Sequence, residues 1–349
     1  MTYLLALLLF SWLISSLLFI PFIKLLYRWK FQRQKQITFD VFNKRTPIFD
    51  KFNEFKAGTP VGGGVIIILV TALFLPAILL IMKYFLVPIT SVYPLGQEIK
   101  IILFTFISYG IIGILDDAKK TFVWAKSDFF GLRLRHKLIL EILLAAVIAY
   151  WLYFDLKIKI FYIPLLGVIH MSWLFIPFAM FVIIAFANAF NITDGLDGLA
   201  SGVLLIALAA FWFISASILD TPLSVFIALW LGSILAFLYF NIQPARIFLG
   251  DVGALSFGAT LAVVALLLGK AILLSLIGGI FILEVAMSLI QILSKKFIGR
   301  KAFSAAPLHL WLQHKGWPES KIVMRFWIIS IILAILGLLL ALIPTPFVG

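Results

Sequence analysis

Cysteine is absent from this 349-residue sequence, charged side chains make up only 12% of it, and histidine occurs four times. The first absence removes disulfides, thiolate nucleophiles and cysteine-ligated metals. The second removes an ordinary globular fold, in which about 25% of residues are charged. With so few histidines and no cysteine, a bound cation would be held by carboxylates, which favours Mg2+ over zinc. No GxGxxG motif follows a strand pattern, and Lys56 precedes its glycines instead of following them, so neither a dinucleotide fold nor a Walker loop is present. Internal repeats and low-complexity linkers are missing too, and the chain reads as one polytopic domain over 1–349.

What the sequence has is apolar length: 64% of it is hydrophobic. A bilayer-spanning helix needs about 20 apolar residues. Such runs occur near 3–23, 63–82, 99–115, 138–154, 174–190, 199–219, 223–240, 253–269, 271–293 and 326–345. These predict an all-α integral membrane fold of about ten transmembrane helices. The first run, Tyr3 to Ile23, has no basic stretch before it and no small-residue cleavage site after it, so it reads as a retained helix.

The formal charge of +13 reflects topology and does not point to nucleic acid. Loops 24–62, 116–137, 191–198, 241–252 and 294–325 hold 23 of the 28 Lys and Arg residues, and the alternate loops hold only Lys83, Lys100, Lys157, Lys159 and Lys270. Basic loops stay in the cytoplasm. Both termini are therefore expected outside, with the lipid bilayer as surroundings. On this reading a cysteine placed at Lys126 or Ser304 labels from inside and one at Thr221 labels from outside.

Five polar clusters fall on the expected cytoplasmic side. Asp116-Asp117 followed by Lys120 closes the third span; such a set holds a divalent cation or takes a proton beside a phosphate, or is only a solvated helix end. Asn188, Asn191, Asp194 and Asp197 recur every third residue, with Gly195 and Gly198 between them, which is more than capping requires. Asp251 lies between Gly250 and Gly253 at the start of a span, as an N-cap or, beside the other acids, as a metal ligand. Lys56-Ala-Gly-Thr59-Pro60-Val-Gly62-Gly63-Gly64 offers backbone amides and a lysine to an anion, or simply lets helices pack closely. The stretch from Ala306 to Glu319 carries His309 and His314 on an amphipathic, aromatic segment that suits either the membrane interface or contact with a phosphate or sugar.

Together these clusters resemble the polyprenyl-phosphate N-acetylhexosamine-1-phosphate transferases, and within them the phospho-N-acetylmuramoyl-pentapeptide branch. Asp116-Asp117-x-x-Lys120, Asn188-x-x-Asn191-x-x-Asp194-Gly-x-Asp197-Gly-Leu and Gly250-Asp251-x-Gly253 are similar to superfamily motifs. Lys56-x-Gly-Thr-Pro, Phe281-x-x-Glu284 with Gln291, and Pro307-Leu-His309 followed by Lys-Gly-Trp-Pro-Glu point to the muramoyl branch. The resemblance implies ten helices and a Mg2+-dependent attack of undecaprenyl phosphate on UDP-N-acetylmuramoyl-pentapeptide, with release of UMP. It allows a homodimer. It assigns Mg2+ to Asp251 with Asp116 and Asp117, and action on the lipid phosphate to Asp116 and Asp117. Lys56, Lys120, Lys137, Asn191 and Asp194 are then expected around the phosphates. Asp197, Asn241 and Phe248 are expected at the uridine, Asn188, Gly195 and Gln291 at the substrate, and His309 among the catalytic groups.

Two departures from the branch concern the donor end: His309-Leu310-Trp311 replaces three consecutive histidines, and Val61-Gly62-Gly63 replaces Thr-Met-Gly. If that loop covers the donor, Trp311 is expected to stack on it. A sister transferase moving N-acetylglucosamine-1-phosphate is the neighbouring alternative. A secondary transporter is the alternative from another class; against it, the breaks lie at helix ends and Glu284 reads as the only clearly intramembrane carboxylate.

Overall fold

The computed structural model describes residues 2–32, 45–121, 134–164 and 166–343. Lys126, one of the intended labelling positions, lies outside them. The helices are α1 (Thr2–Arg28), α2 (Pro47–Asn53), α3 (Gly64–Tyr84), α4 (Leu95–Thr121), α5 (Leu134–Phe154), α6 (Phe175–Thr193) and α7 (Leu199–Ser217). They continue with α8 (Thr221–Asn241), α9 (Gly250–Leu267), α10 (Ala271–Ile277), α11 (Gly279–Leu293), α12 (Leu308–His314) and α13 (Glu319–Leu342). Among the described residues nine helices are long and apolar enough to cross a membrane, or ten counting α10 and α11 as one broken span.

That broken span occupies the apolar run read over 271–293 as one transmembrane helix. Its two halves meet at Gly278 with a bend of 82°. An uninterrupted apolar run conceals the break, because hydropathy does not register a change of direction. A correction concerns the connection between α5 and α6. Here β1 (Ile160–Ile163) and β2 (Gly167–His170) pair as an antiparallel hairpin, so among the described residues the fold is helical with one small strand pair.

α9 lies at the centre, packed chiefly on α4 and α6, and is buried from Asp251 to Leu267. Lipid tails are as apolar as leucine, so helices in a bilayer associate through close packing and hydrogen bonds between small or polar residues. α9 is suited to this, with Gly253, Ala254, Ser256, Gly258, Ala259, Ala262 and Ala265 along its length. Around it Phe106 of α4, Trp230 of α8 and Phe257 of α9 form a buried aromatic cluster with centroids 5.2–5.6 Å apart. Phe190 of α6 stacks on Phe281 of α11 at 5.0 Å, which extends the cluster to the bent span. At the periphery Ser11 and Ser15 of α1 hydrogen-bond Ser233 of α8 at 2.8 and 2.9 Å.

One contact fixes the site. A Cβ on Gly113 would lie 2.2 Å from the Asp251 carbonyl oxygen, so only glycine lets α4 approach the first turn of α9 this closely. Asp116 and Asp117, one turn further along α4, are thereby set beside Asp251.

Candidate active site

Asp116 and Asp251 are joined by two lysines. Lys137 Nζ, from the first turn of α5, lies 2.6 Å from Asp251 Oδ2 and 3.2 Å from Asp116 Oδ2. Lys120 Nζ lies 3.0 Å from each of the same two oxygens. Asn191 adds a longer contact, its Nδ2 donating to Asp251 Oδ2 at 3.4 Å. Asp117 turns the other way: its Oδ2 accepts the Val252 backbone N–H at 3.1 Å. Its Oδ1 is buried with no hydrogen-bond partner among the described residues. Among the described residues no three carboxylate or imidazole groups form a ready-made cation cage, because the ammonium groups stand between the acids.

A second charged cluster stands beside the first. Lys56 Nζ contacts Glu319 Oε1 at 2.6 Å, Asp197 Oδ1 at 2.9 Å and the Gly195 carbonyl at 3.4 Å. Glu319 Oε1 also accepts the Asp197 backbone N–H at 2.6 Å, and Asp197 Oδ2 accepts that of Ala245 at 3.0 Å. Asn241 uses its whole amide internally. Oδ1 accepts from the Gly198 N–H and the Ser201 hydroxyl, both at 3.0 Å, and Nδ2 donates to the Ile247 carbonyl at 3.0 Å. Asp194 lies between the two clusters. Its carboxyl is pushed up to about 7, first by burial and then by the charges of Asp251 and Asp117, against the opposing pull of Lys56.

His309, at the start of α12, is held by Glu284 of α11. Glu284 Oε1 accepts the His309 backbone N–H at 3.1 Å, and Oε2 meets ring Nδ1 at 3.0 Å. The ring covers Gly195, where a Cβ would come within 2.4 Å of Nε2. Glycine is therefore required at Gly195 to admit the imidazole.

These groups surround one cavity of about 1060 Å³. Lys56, Lys120, Asn191, Asp194, Gly195, Asp197, Asn241, Phe248, Asp251, Gln291 and His309 all line it, eleven of the fifteen site residues expected from sequence. Asp116 and Lys137 stand behind the lining, tied to it through Asp251, and Asp117 is placed there by Val252.

Asn188 is the exception. It is directed away, with Nδ2 donating to Glu141 Oε2 of α5 at 2.6 Å and to the Ile184 carbonyl at 2.9 Å. Gln291 lines the cavity but spends its amide on the backbone of Phe303, accepting its N–H at 2.9 Å and donating to its carbonyl at 3.0 Å. Trp311 does not line the cavity; its ring lies 5.6 Å from Lys315 Nζ. At this point the cavity is lined by Pro307, His309 and Leu310 instead.

Several residues at or beside the site were not picked out as site residues from sequence, Arg45, Lys295 and Lys301 on the cavity wall among them. Glu319 joins the Lys56 cluster, Glu141 pairs with Asn188, and Arg300 lines the cavity wall. Glu141 stands four residues after Lys137, on the same helical face, and that spacing was the available signal. It is buried within a spanning helix, as is Glu98 of α4, so Glu284 is not the only intramembrane carboxylate.

A family model described as glycosyl transferase family 4 matches residues 99–269, a segment that carries Asp116, Lys137, Asp194 and Asp251. The chain is also 34% identical over 291 residues to proteins named phospho-N-acetylmuramoyl-pentapeptide-transferase from Bacillus thuringiensis (strain Al Hakam) and Bacillus cereus (strain AH187). The match covers 82% of this chain and 85% of each relative. The chain belongs to glycosyl transferase family 4. It is a multi-pass membrane transferase of the polyprenyl-phosphate sugar-1-phosphate type. Lys56 and Lys120 supply positive charge at the lining, and Lys137 supports them from behind Asp251.

Proposed function

We propose that this family 4 transferase moves phospho-N-acetylmuramoyl-pentapeptide from its UDP carrier to undecaprenyl phosphate, releasing UMP, at the cytoplasmic face of a bacterial inner membrane. The observation that carries the reading is the pair of lysines straddling Asp116 and Asp251 at a cavity whose wall also carries Lys56 and His309. Both substrates are anions, and their mutual repulsion is the main obstacle to reaction. The second pKa of a phosphate monoester is about 6, so at neutral pH the lipid phosphate is already largely a dianion and little base catalysis is needed. Preorganised ammonium groups screen the two charges and stabilise those that develop during transfer.

In the step itself, an oxygen of the lipid phosphate forms a bond to the sugar-bearing phosphorus of the donor. The bond from that phosphorus to the bridging oxygen breaks, and UMP leaves with the electron pair. Lys120 and Lys137 neutralise the reacting phosphates, and Lys56 balances the donor diphosphate. Asp116 keeps the two lysines in place. Asp117, held behind the cavity lining by the Val252 N–H, would take any proton left on the lipid phosphate once its side chain turns toward the cavity. Asp197, Asn241 and Phe248 shape the nucleoside end, with Asp197 and Asn241 acting through the backbone turns they hold.

The donor set suits Mg2+: only hard carboxylate oxygens are offered, and that ion takes one or two carboxylates together with phosphate oxygens and water. Asp251, which lines the cavity, would hold it with Asp116 and Asp117 adjacent, and the bound ion would withdraw charge from the diphosphate. The basic residues gathered at the cavity end of the bundle support the cytoplasmic assignment, which leaves both termini outside.

The test is release of UMP from UDP-N-acetylmuramoyl-pentapeptide by the purified protein with undecaprenyl phosphate, with and without Mg2+. Turnover of UDP-N-acetylglucosamine in place of the muramoyl donor would transfer the assignment to the sister reaction.

A further inference from the structure

Glu284 makes no contact with the Asp116–Asp251 centre, yet it is wholly buried in a chain where an intramembrane carboxylate is costly. Both of its oxygens are used by one residue, His309, through the backbone N–H and ring Nδ1. An ionised carboxylate only accepts, so the hydrogen of the ring is held on Nδ1 and Nε2 is turned to the opposite side. There Nε2 is buried and has no hydrogen-bond partner among the described residues. It lies over Gly195, whose carbonyl contacts Lys56, and His309, Gly195 and Lys56 all line the cavity. An orphaned nitrogen in that position lacks the partner that buried polar atoms require, and the cavity is where a partner arrives.

We propose that Glu284 is a positioning residue for the transfer: it fixes the backbone and the Nδ1–H form of His309 so that Nε2, left as an acceptor, receives a hydroxyl O–H of the bound donor beside Lys56. This rests on the transferase reading of the cavity. The competing role is structural, with the pair merely fastening α12 to α11. In Glu284→Gln the amide keeps one accepting oxygen for the His309 backbone N–H and turns its NH2 toward Nδ1. The ring must then carry its hydrogen on Nε2.

The experiment is a double-mutant cycle on kcat. Glu284→Gln should lower kcat by at least about tenfold, the scale on which loss of an orienting partner of histidine acts, with donor KM changed less than about threefold. In the His309→Ala background it should lower kcat no further, because Glu284 acts through that ring. An undiminished effect in that background, or full kcat in Glu284→Gln alone, would overturn the proposal. Heteronuclear NMR of labelled histidine reads the same inference without turnover: His309 should carry its hydrogen on Nδ1 in the wild type and on Nε2 in Glu284→Gln. An unchanged ring refutes the positioning role. If the wild type turns over no UDP-sugar while the ring behaves as described, the transferase reading fails and the Glu284–His309 relationship stands.

Discussion

Lys56 Nζ lies 2.6 Å from Glu319 Oε1, although the two residues are 263 positions apart in the chain. The contact ties the entrance of α3 to the first turn of α13, and both side chains are nearly buried. Removing one member of a buried ion pair leaves the other poorly compensated, at a cost of about 3–5 kcal/mol when no second partner exists. Asp197 remains as a partner of Lys56, so Glu319→Ala should cost less, about 1–3 kcal/mol. A thermal melt in detergent measures this, and the same substitution in a Lys56→Ala background should have a smaller effect.

Lys137→Ala removes one of the two bridges between Asp116 and Asp251. Turnover should fall about 100-fold or more, the scale for losing one preorganised charge-stabilising group. Lys137→Arg retains the charge but not the compact ammonium that fits between two carboxylate oxygens, and should recover only part of the rate. If charge alone mattered, steady-state kinetics would show Lys137→Arg turning over at the wild-type rate while Lys137→Ala did not.

Asp251→Asn should leave the protein folded and membrane-inserted but reduce Mg2+-dependent UMP release to less than about a tenth, since a metal-holding carboxylate contributes several kcal/mol to the transition state. Activity above that level would remove Asp251 from the metal site.

Asp194 gives a pH dependence whose sign is fixed. Its carboxyl rises from an ordinary value of 3.8 to about 7 in the folded protein, chiefly through burial. Between those limits the folded state holds a proton that the unfolded chain has released. The stability from this group is complete below the lower value and is lost as pH rises through the upper one. Wild-type melting temperature should therefore decline from about pH 5 to about pH 8 more steeply than that of Asp194→Asn; parallel slopes would show that Asp194 is not the group responsible.

The orientation can be read by single-cysteine labelling, which the cysteine-free sequence makes unambiguous. Ser304 is exposed at the cavity end and should label only from inside. Thr221, the natural choice for the opposite end, is buried and paired with Thr90, so Leu86, 88% exposed at that end, replaces it. Labelling of Ser304 from outside would invert the topology.

The spans, their number and the grouping of Asp116, Asp194 and Asp251 were legible because apolar length and local motifs carry them. What the sequence concealed depends on helical phase and on packing between distant elements. The phase of α12 turns Trp311 away from the cavity and Leu310 toward it. The pairing of Asn188 with Glu141 needs α5 and α6 to be adjacent, and that of Lys56 with Glu319 needs α13 to return to the site. The bend at Gly278 has no hydropathy signature at all.

α9 is enclosed by protein from Asp251 to Leu267, and so it has no hydrophobic length to match. A change in bilayer thickness is met by tilt and stretch of the lipid-facing helices, at fractions of a kcal/mol per Å. α1 and α13, only 22% and 33% buried over their spans, are exposed to that adjustment. The Asp116–Asp251 separation is set instead by α4 resting on α9 through Gly113. Adaptation to a new lipid composition can therefore proceed by substitutions on the outer helices alone, while the spacing of the charged groups stays constant from membrane to membrane.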